Sequence, residues 1–141
     1  MIVPTHHHHD HAMGLPDYVK AGAKAVVPEM AKHYYKAINN IEFETFTQDK
    51  PYVVENDAIR AVFIHMKRTH HAKDQVYAII MPACVKDNSS VLAFDADHLS
   101  RDDKLDDHND QTELLEMLDN FKSDRVARNM QYTDFCTRTE W

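Results

Sequence analysis

The chain has 141 residues, of which 43% are hydrophobic and 28% are charged, the balance of a folded globular domain and not of a disordered segment. Sixteen Lys and Arg against 23 Asp and Glu give a net charge of −7 with no basic run, which argues against nucleic acid and anionic membrane surfaces as partners. No stretch approaches the ~20 apolar residues of a membrane-spanning helix and no secretory signal begins the chain, so we expect one soluble, cytoplasmic domain over residues 1–141.

The first part of the chain predicts short strands and helices in alternation. Residues 1–4 are an apolar lead that can end a strand. A helix is predicted over residues 15–21, with Pro16 in its first turn and Gly22 just after its last turn. Residues 25–27 predict a brief buried strand, and residues 29–38 predict a second helix that follows Pro28 and stops at Asn39.

The middle of the chain predicts a small sheet, because β-branched and aromatic runs are separated there by polar turns. The predicted strands are residues 41–47, 53–54, 58–65, 76–81 and 90–94. An acidic loop over residues 101–107 follows, and a helix resumes near Thr112. Its apolar residues repeat at helical spacing and can cover the sheet; they are Leu114, Met117, Leu118 and Phe121. The expected fold class is therefore α/β, with a small mixed sheet flanked by helices.

Histidine, and not cysteine, is the candidate ligand residue. Cys84 and Cys136 are far apart and lack a C-x-x-C spacing, so we expect two reduced thiols instead of a zinc knuckle or a redox pair. Histidine is the outlier of the composition, with 11 residues in the chain. Much of it is concentrated in one short segment, residues 6–11, which contains a single non-histidine residue.

This segment offers the ligand types that Zn²⁺ prefers. His6, His8 and His11 supply imidazoles, and Asp10 supplies a carboxylate. Residues 6 and 8 of an extended loop project to the same side, with Asp10 and His11 nearby, so one segment can serve two metal ions ~3.5–4 Å apart. The alternative interpretation is a purification tag on an ordinary α/β domain.

The run Thr5-His6-His7-His8-His9-Asp10-His11, followed shortly by Gly14, resembles the Thr-His-x-His-x-Asp-His signature of the metallo-β-lactamase fold superfamily. The predicted helix, turn and strand downstream are similar to those that follow the signature in that superfamily. The resemblance covers about residues 2–100. It implies a partial metallo-β-lactamase-like αββα architecture and a metal-dependent hydrolase.

The resemblance also implies two further ligands. A histidine is expected at the end of a strand, and residues 69–74, followed by the predicted strand over residues 76–81, resemble the segment that supplies it. His71 is the preferred residue there and His70 the alternative. A bridging aspartate is expected after a later strand, where Asp97 is preferred over Asp95. The implied metal ligands are His6, His8, Asp10, His11, His71 and Asp97.

Two departures from the family pattern stand out. The last family histidine has no counterpart in the C-terminal segment, where only His98 or His108 could substitute. Family members also carry a strand-rich half before the signature, which this chain lacks for the most part. A sheet without that partner layer would expose apolar surface, so we expect a homo-oligomer or a second subunit to cover it.

The function implied by the resemblance is hydrolysis of a small molecule. One or two Zn²⁺ ions, or other divalent metals, would turn a bound water into hydroxide, with Asp10 as the catalytic side chain that orients it and Asp97 as the bridge. The substrate class is not readable from the sequence. The competing interpretation is a degenerate, non-catalytic metal-binding or interaction module.

Overall fold

The computed structural model describes residues 1–84, 91–97, 112–116 and 119. Within them the elements in chain order are α1 (His9–Ala12), α2 (Leu15–Lys20), β1 (Ala25–Pro28), a 3₁₀ turn (Glu29–Ala31), α3 (Lys32–Tyr35), β2 (Phe43–Phe46), β3 (Tyr52–Glu55), β4 (Ile59–His65), β5 (Val76–Pro82) and β6 (Leu92–Phe94). Residues 112–116 are helical. This is a mixed α/β arrangement, as the sequence predicts.

The N-terminal part is a small parallel layer with helices on one face. Strands β1 and β2 pair in parallel, with Ala25 opposite Phe43, and Ile2 forms a parallel bridge to Ala25 on the other side. Alternate residues of β1 point to opposite faces. On one face, Val27 packs in a hydrophobic cluster with Leu15 and Val19 of α2 and with Tyr35 of α3. Helix α2 ends at Lys20, and Gly22 follows its last turn as predicted, with a φ of 90° in the left-handed region that glycine adopts without strain.

The second layer is an antiparallel sheet in the order β3-β4-β5-β6. One face of β4 and β5 forms a separate core, against which Leu114 of the helical residues packs. Val26 of β1 packs with Val76 of β5 and Phe46 of β2, so the two layers share a core between them. The N-terminal segment also joins them, because Val76 N donates to Thr5 O at 2.7 Å.

Three expectations need correction. We expected a single small mixed sheet, but the described residues form a parallel pair and a four-stranded antiparallel sheet. The helix predicted over residues 29–38 is a 3₁₀ turn followed by the short α3, because the chain turns after Tyr35 and Asn40 adopts a φ of 59°. Cys84 is disulfide-bonded and not a reduced thiol; Cys136 lies outside the described residues.

Several apolar side chains of the antiparallel sheet face solvent. They lie on β3, at the start of β4 and on β6, and comprise Val53, Val54, Ile59, Leu92 and Phe94. The acidic loop predicted over residues 101–107, and Met117, Leu118 and Phe121 of the predicted helical stripe, lie outside the described residues. Among the residues that are described, every helix is too short and too polar to cross a bilayer.

Candidate metal centre

The histidine segment, residues 5–12, is held between the two layers of the fold. Thr5 is fixed to the start of β5 by the bond from Val76 N. His8 remains extended, with φ −60° and ψ 146°, and α1 begins at the next residue. The extended loop was predicted for His6 and His8, and the sequence pattern did not predict α1, the helical turn that follows at His9–Ala12. Its short turn directs His11 back toward His6, where their ring centroids lie 4.4 Å apart.

Three stretches of chain meet around His6, which is fully buried. The first is the histidine segment itself. The second is residues 66–75, the β4–β5 connector, which carries His71. The third is the turn after β6, which carries Asp97. We call the five side chains that meet there the His–Asp cluster: His6, His8, His11, His71 and Asp97.

The cluster divides into two groups that share His6. In the first group the ligand atoms of His6, His8 and His71 all lie within 4.8 Å of one another. The second group, with the same spacing, is His6, His11 and Asp97. Oδ2 of Asp97 lies 2.9 Å from Nε2 of His11, 3.2 Å from Nε2 of His71 and 3.4 Å from Nε2 of His6. One carboxylate oxygen thus faces three imidazole nitrogens.

The environment keeps His6 neutral. Burial lowers its pKa to about 4, with further lowering from His11, His8 and His71, while Asp97 raises it. At neutral pH the ring therefore has a free nitrogen lone pair. Thr5 Oγ1 lies 3.2 Å from Nδ1 of His6, so the hydroxyl oxygen can accept a hydrogen bond from Nδ1–H, which leaves the Nε2 lone pair facing the cluster.

The donor set and spacing fit a borderline cation such as Zn²⁺. A tetrahedral zinc ion with bonds of about 2.0–2.1 Å places neighbouring nitrogen ligands about 3.3 Å apart. The Nε2 atoms of His6 and His71 are 3.2 Å apart. Without a cation, two neutral imidazoles at this distance can share only one proton. The complete burial of His6 argues against the purification-tag interpretation, because a tag would be expected to stay exposed to solvent.

The structure also separates the alternatives that the sequence left open. His71 belongs to the cluster, whereas His70 is exposed and belongs to neither group. Asp97 faces the imidazoles, whereas Asp95 accepts a hydrogen bond from Gln75 Nε2 at 3.2 Å. His98 and His108 lie outside the described residues.

Asp10 is the predicted site residue that the structure leaves at the edge. Its side chain is 79% exposed, and its Oδ2 lies 3.5 Å from Nε2 of His11. It belongs to neither group. The role in orienting a nucleophile that the family resemblance implies for Asp10 therefore stays a prediction.

Two buried polar residues of the β4–β5 connector were missed in the sequence. Gln75, fully buried, donates from Nε2 to Ala96 O at 3.0 Å as well as to Asp95, and so supports the turn that carries Asp97. Asp74, 1% exposed, accepts from His7. The only local signal was their polarity immediately before the apolar β5, which on its own also fits a surface turn.

A groove of about 650 Å³ lies beside the connector and not at the cluster. Thr69 and Lys73 line it together with Phe46, Met66 and neighbouring residues, and no member of the His–Asp cluster does. The cluster instead meets solvent through its own members, since the side chains of His71 and Asp97 are 33% and 32% exposed.

Comparison of the chain with protein-family models, with curated proteins and with solved structures gives no match.

Proposed function

We propose that this chain is a metal-dependent hydrolase with a metallo-β-lactamase-like fold, and that zinc is its metal. The observation that supports the proposal is the meeting of His6 with His71 and Asp97, which come from three separate stretches of chain and approach within 3.4 Å. The buried, neutral imidazole of His6, beside a second imidazole and a carboxylate, forms a set of ligands that suits zinc.

The two groups suggest how the residues divide their work. His6, His8 and His71 would hold one ion, and His11 with Asp97 would hold a second, with Oδ2 of Asp97 between the two groups. When bound, zinc lowers the pKa of a coordinated water toward neutrality and polarises the bond to be attacked. Asp97 would hold the ion and could orient an approaching water through its carboxylate, and Asp10, exposed beside His11, is a second carboxylate on the solvent side.

The proposed substrate is a small molecule that approaches through the exposed faces of His71 and Asp97. The net charge of −7 disfavours polyanions such as nucleic acid. The apolar residues exposed on β3, β4 and β6 support a partner that covers this sheet, either a second copy or another subunit.

A specific observation supports a second candidate function, a non-catalytic metal-binding module. Asp10 is 79% exposed and lies outside both groups. Among the described residues, the first group therefore has three histidines. The second group has only one histidine of its own, His11, because it shares His6 with the first. A non-catalytic ion would need the three histidines of the first group and a fourth ligand that closes the tetrahedron, and Asp97 lies close enough to His71 to supply it.

Metal content and turnover, measured together, separate the two functions. The full chain is stripped with a chelator, loaded with Zn²⁺, and analysed for bound metal and for hydrolysis of a generic ester and a generic phosphodiester. His8→Ala and Asp97→Ala are compared with His9→Ala, an exposed histidine of the same segment. Two equivalents with turnover that both cluster variants abolish support the hydrolase. One equivalent without turnover supports the module, and a well-folded protein without metal overturns both.

A further inference from the structure

A second polar network lies behind the histidine segment. The carboxylate of Asp74 is 1% exposed, and its Oδ1 accepts a hydrogen bond from Nδ1 of His7 at 2.6 Å. The hydroxyl of Tyr35 lies 3.4 Å from Oδ2, which makes it a weak second donor. A buried carboxylate is costly without partners, so the short bond to His7 is the main compensation for burying Asp74.

The network connects two of the stretches that carry the His–Asp cluster. His7 stands in the chain between His6 and His8, and Asp74 follows His71 within the β4–β5 connector. The hydrogen bond between His7 and Asp74 therefore joins the segment that carries His6 and His8 to the connector that carries His71. His7 is not itself a member of either group.

The ring of His7 is held in one plane. It stacks on Tyr34 with centroids 3.8 Å apart and an angle of 7° between the planes. Stacking on one side and a hydrogen bond at Nδ1 leave the ring little freedom. Because the backbone on both sides of His7 carries ligands, fixing this ring also restricts where the imidazoles of His6 and His8 can lie.

We infer that His7 and Asp74 are positioning residues that hold the imidazoles of His6, His8 and His71 in a geometry ready for a metal ion. The inference rests on the metal-binding role proposed above. Ligands that are fixed before binding lose less conformational entropy when the metal arrives, so affinity rises without any new bond to the metal. Groups that hydrogen-bond metal ligands directly typically account for 10- to 100-fold in metal affinity, and we expect an effect of the same order from this bond, which acts through the backbone.

A purely structural role is the competing explanation, because losing a buried hydrogen bond also destabilises a fold. Two substitutions at position 7 separate the roles. His7→Phe retains a ring to stack on Tyr34 but removes the donor to Asp74. His7→Asn places an amide N–H near the position of Nδ1 and restores a donor. His9→Ala, at an exposed neighbour, is the control.

The experiment measures Zn²⁺ affinity by competition with a chromophoric chelator and records the visible spectrum of the Co²⁺-loaded protein, which reports ligand geometry. We expect His7→Phe to weaken Zn²⁺ binding by about 10- to 100-fold and to alter the Co²⁺ spectrum. His7→Asn should recover most of the affinity and the original spectrum, and His9→Ala should match the wild type.

The contrary results are distinct. A lower melting temperature in His7→Phe with unchanged Zn²⁺ affinity and Co²⁺ spectrum would overturn the positioning role and leave the proposed function intact. A wild-type protein that binds neither ion would overturn both. If His7→Phe does not fold, Asp74→Leu, which removes the acceptor and places an apolar side chain at this buried position, replaces it, and unchanged affinity there overturns the inference equally.

Discussion

Nε2 of His11 and Oδ2 of Asp97 lie 2.9 Å apart, although they belong to the first helix and to the turn after the last described strand. Asp97 adopts a φ of 70°, in the left-handed region, which aspartate tolerates better than most residues. The turn is supported from behind by Gln75 through Asp95 and Ala96. The carboxylate at the cluster is therefore fixed by long-range contacts, so that metal binding and folding should be coupled.

Zinc should raise the stability of the folded chain, because the cluster is assembled from three separate stretches and exists only when the chain is folded. At a free Zn²⁺ concentration of one hundred times Kd, the free energy of unfolding should increase by about 2.7 kcal/mol. Thermal unfolding with and without a chelator measures the difference. The shift should become smaller in Asp97→Ala, which retains the three-histidine group, and should disappear when His6, the ligand shared by both groups, is also replaced by Ala. An equal shift in the double variant would show that the metal binds elsewhere.

His71 and His70 form a matched pair for testing the third ligand. His71→Ala removes an imidazole whose Nε2 is 3.2 Å from that of His6, so Zn²⁺ affinity should fall by at least about 100-fold. His70→Ala removes the same side chain from an exposed position outside both groups and should change affinity less than about threefold. Titration against a competing chelator compares them. Equal losses in the two variants would contradict the assignment of His71.

The elements that the sequence predicted well are those in which local pattern and burial agree. Strands β4 and β5 are each seven residues long and rich in β-branched and aromatic residues, and the structure forms both with nearly the predicted bounds. Helix α1 was missed because its four residues continue a histidine tract with weak helical propensity. The roles of Asp74 and Gln75 were not predictable, because each depends on a partner that is distant in sequence.

Glu113 should stabilise the β4–β5 connector more than its exposed neighbour Glu116 does. The buried carboxylate of Glu113 accepts the backbone N–H of Lys67 at 3.0 Å and that of Arg68 at 2.7 Å. Glu113→Ala leaves these donors without their acceptor and should lower the free energy of unfolding by about 1–3 kcal/mol. The exposed pair of Arg68 with Glu116 should contribute less than about 1 kcal/mol.

Urea unfolding of Glu113→Ala and Glu116→Ala makes this comparison directly. Because the connector carries His71, we also expect Zn²⁺ affinity to fall in the Glu113 variant and to stay constant in the Glu116 variant. Equal destabilisation by the two substitutions would mean that the contacts from Glu113 to the connector backbone contribute nothing beyond a surface ion pair.

Alkaline pH should unfold the protein through two buried tyrosines. Burial raises the pKa of Tyr77, with smaller contributions from Glu113 and Asp95, and burial followed by Asp74 raises the pKa of Tyr35. Both folded-state values exceed the unfolded value of about 10. The stability that the neutral phenols contribute is therefore complete below pH 10 and is lost as the pH rises above it, by up to about 1.4 kcal/mol per pH unit for each tyrosine.

The free energy of unfolding, measured from pH 8 to about pH 12 by urea titration, tests this slope. Tyr77→Phe removes one titrating group and should flatten the decline of the free energy of unfolding above pH 10. Tyr35→Phe should flatten it in the same way, but it also removes the weak hydrogen bond from the Tyr35 hydroxyl to Asp74. Tyr18→Phe, at a tyrosine that is 55% exposed, controls for the substitution itself. Phenolate absorbance should rise for Tyr77 only as the chain unfolds, and a rise while the fold is intact would show that this phenol reaches solvent in the native state.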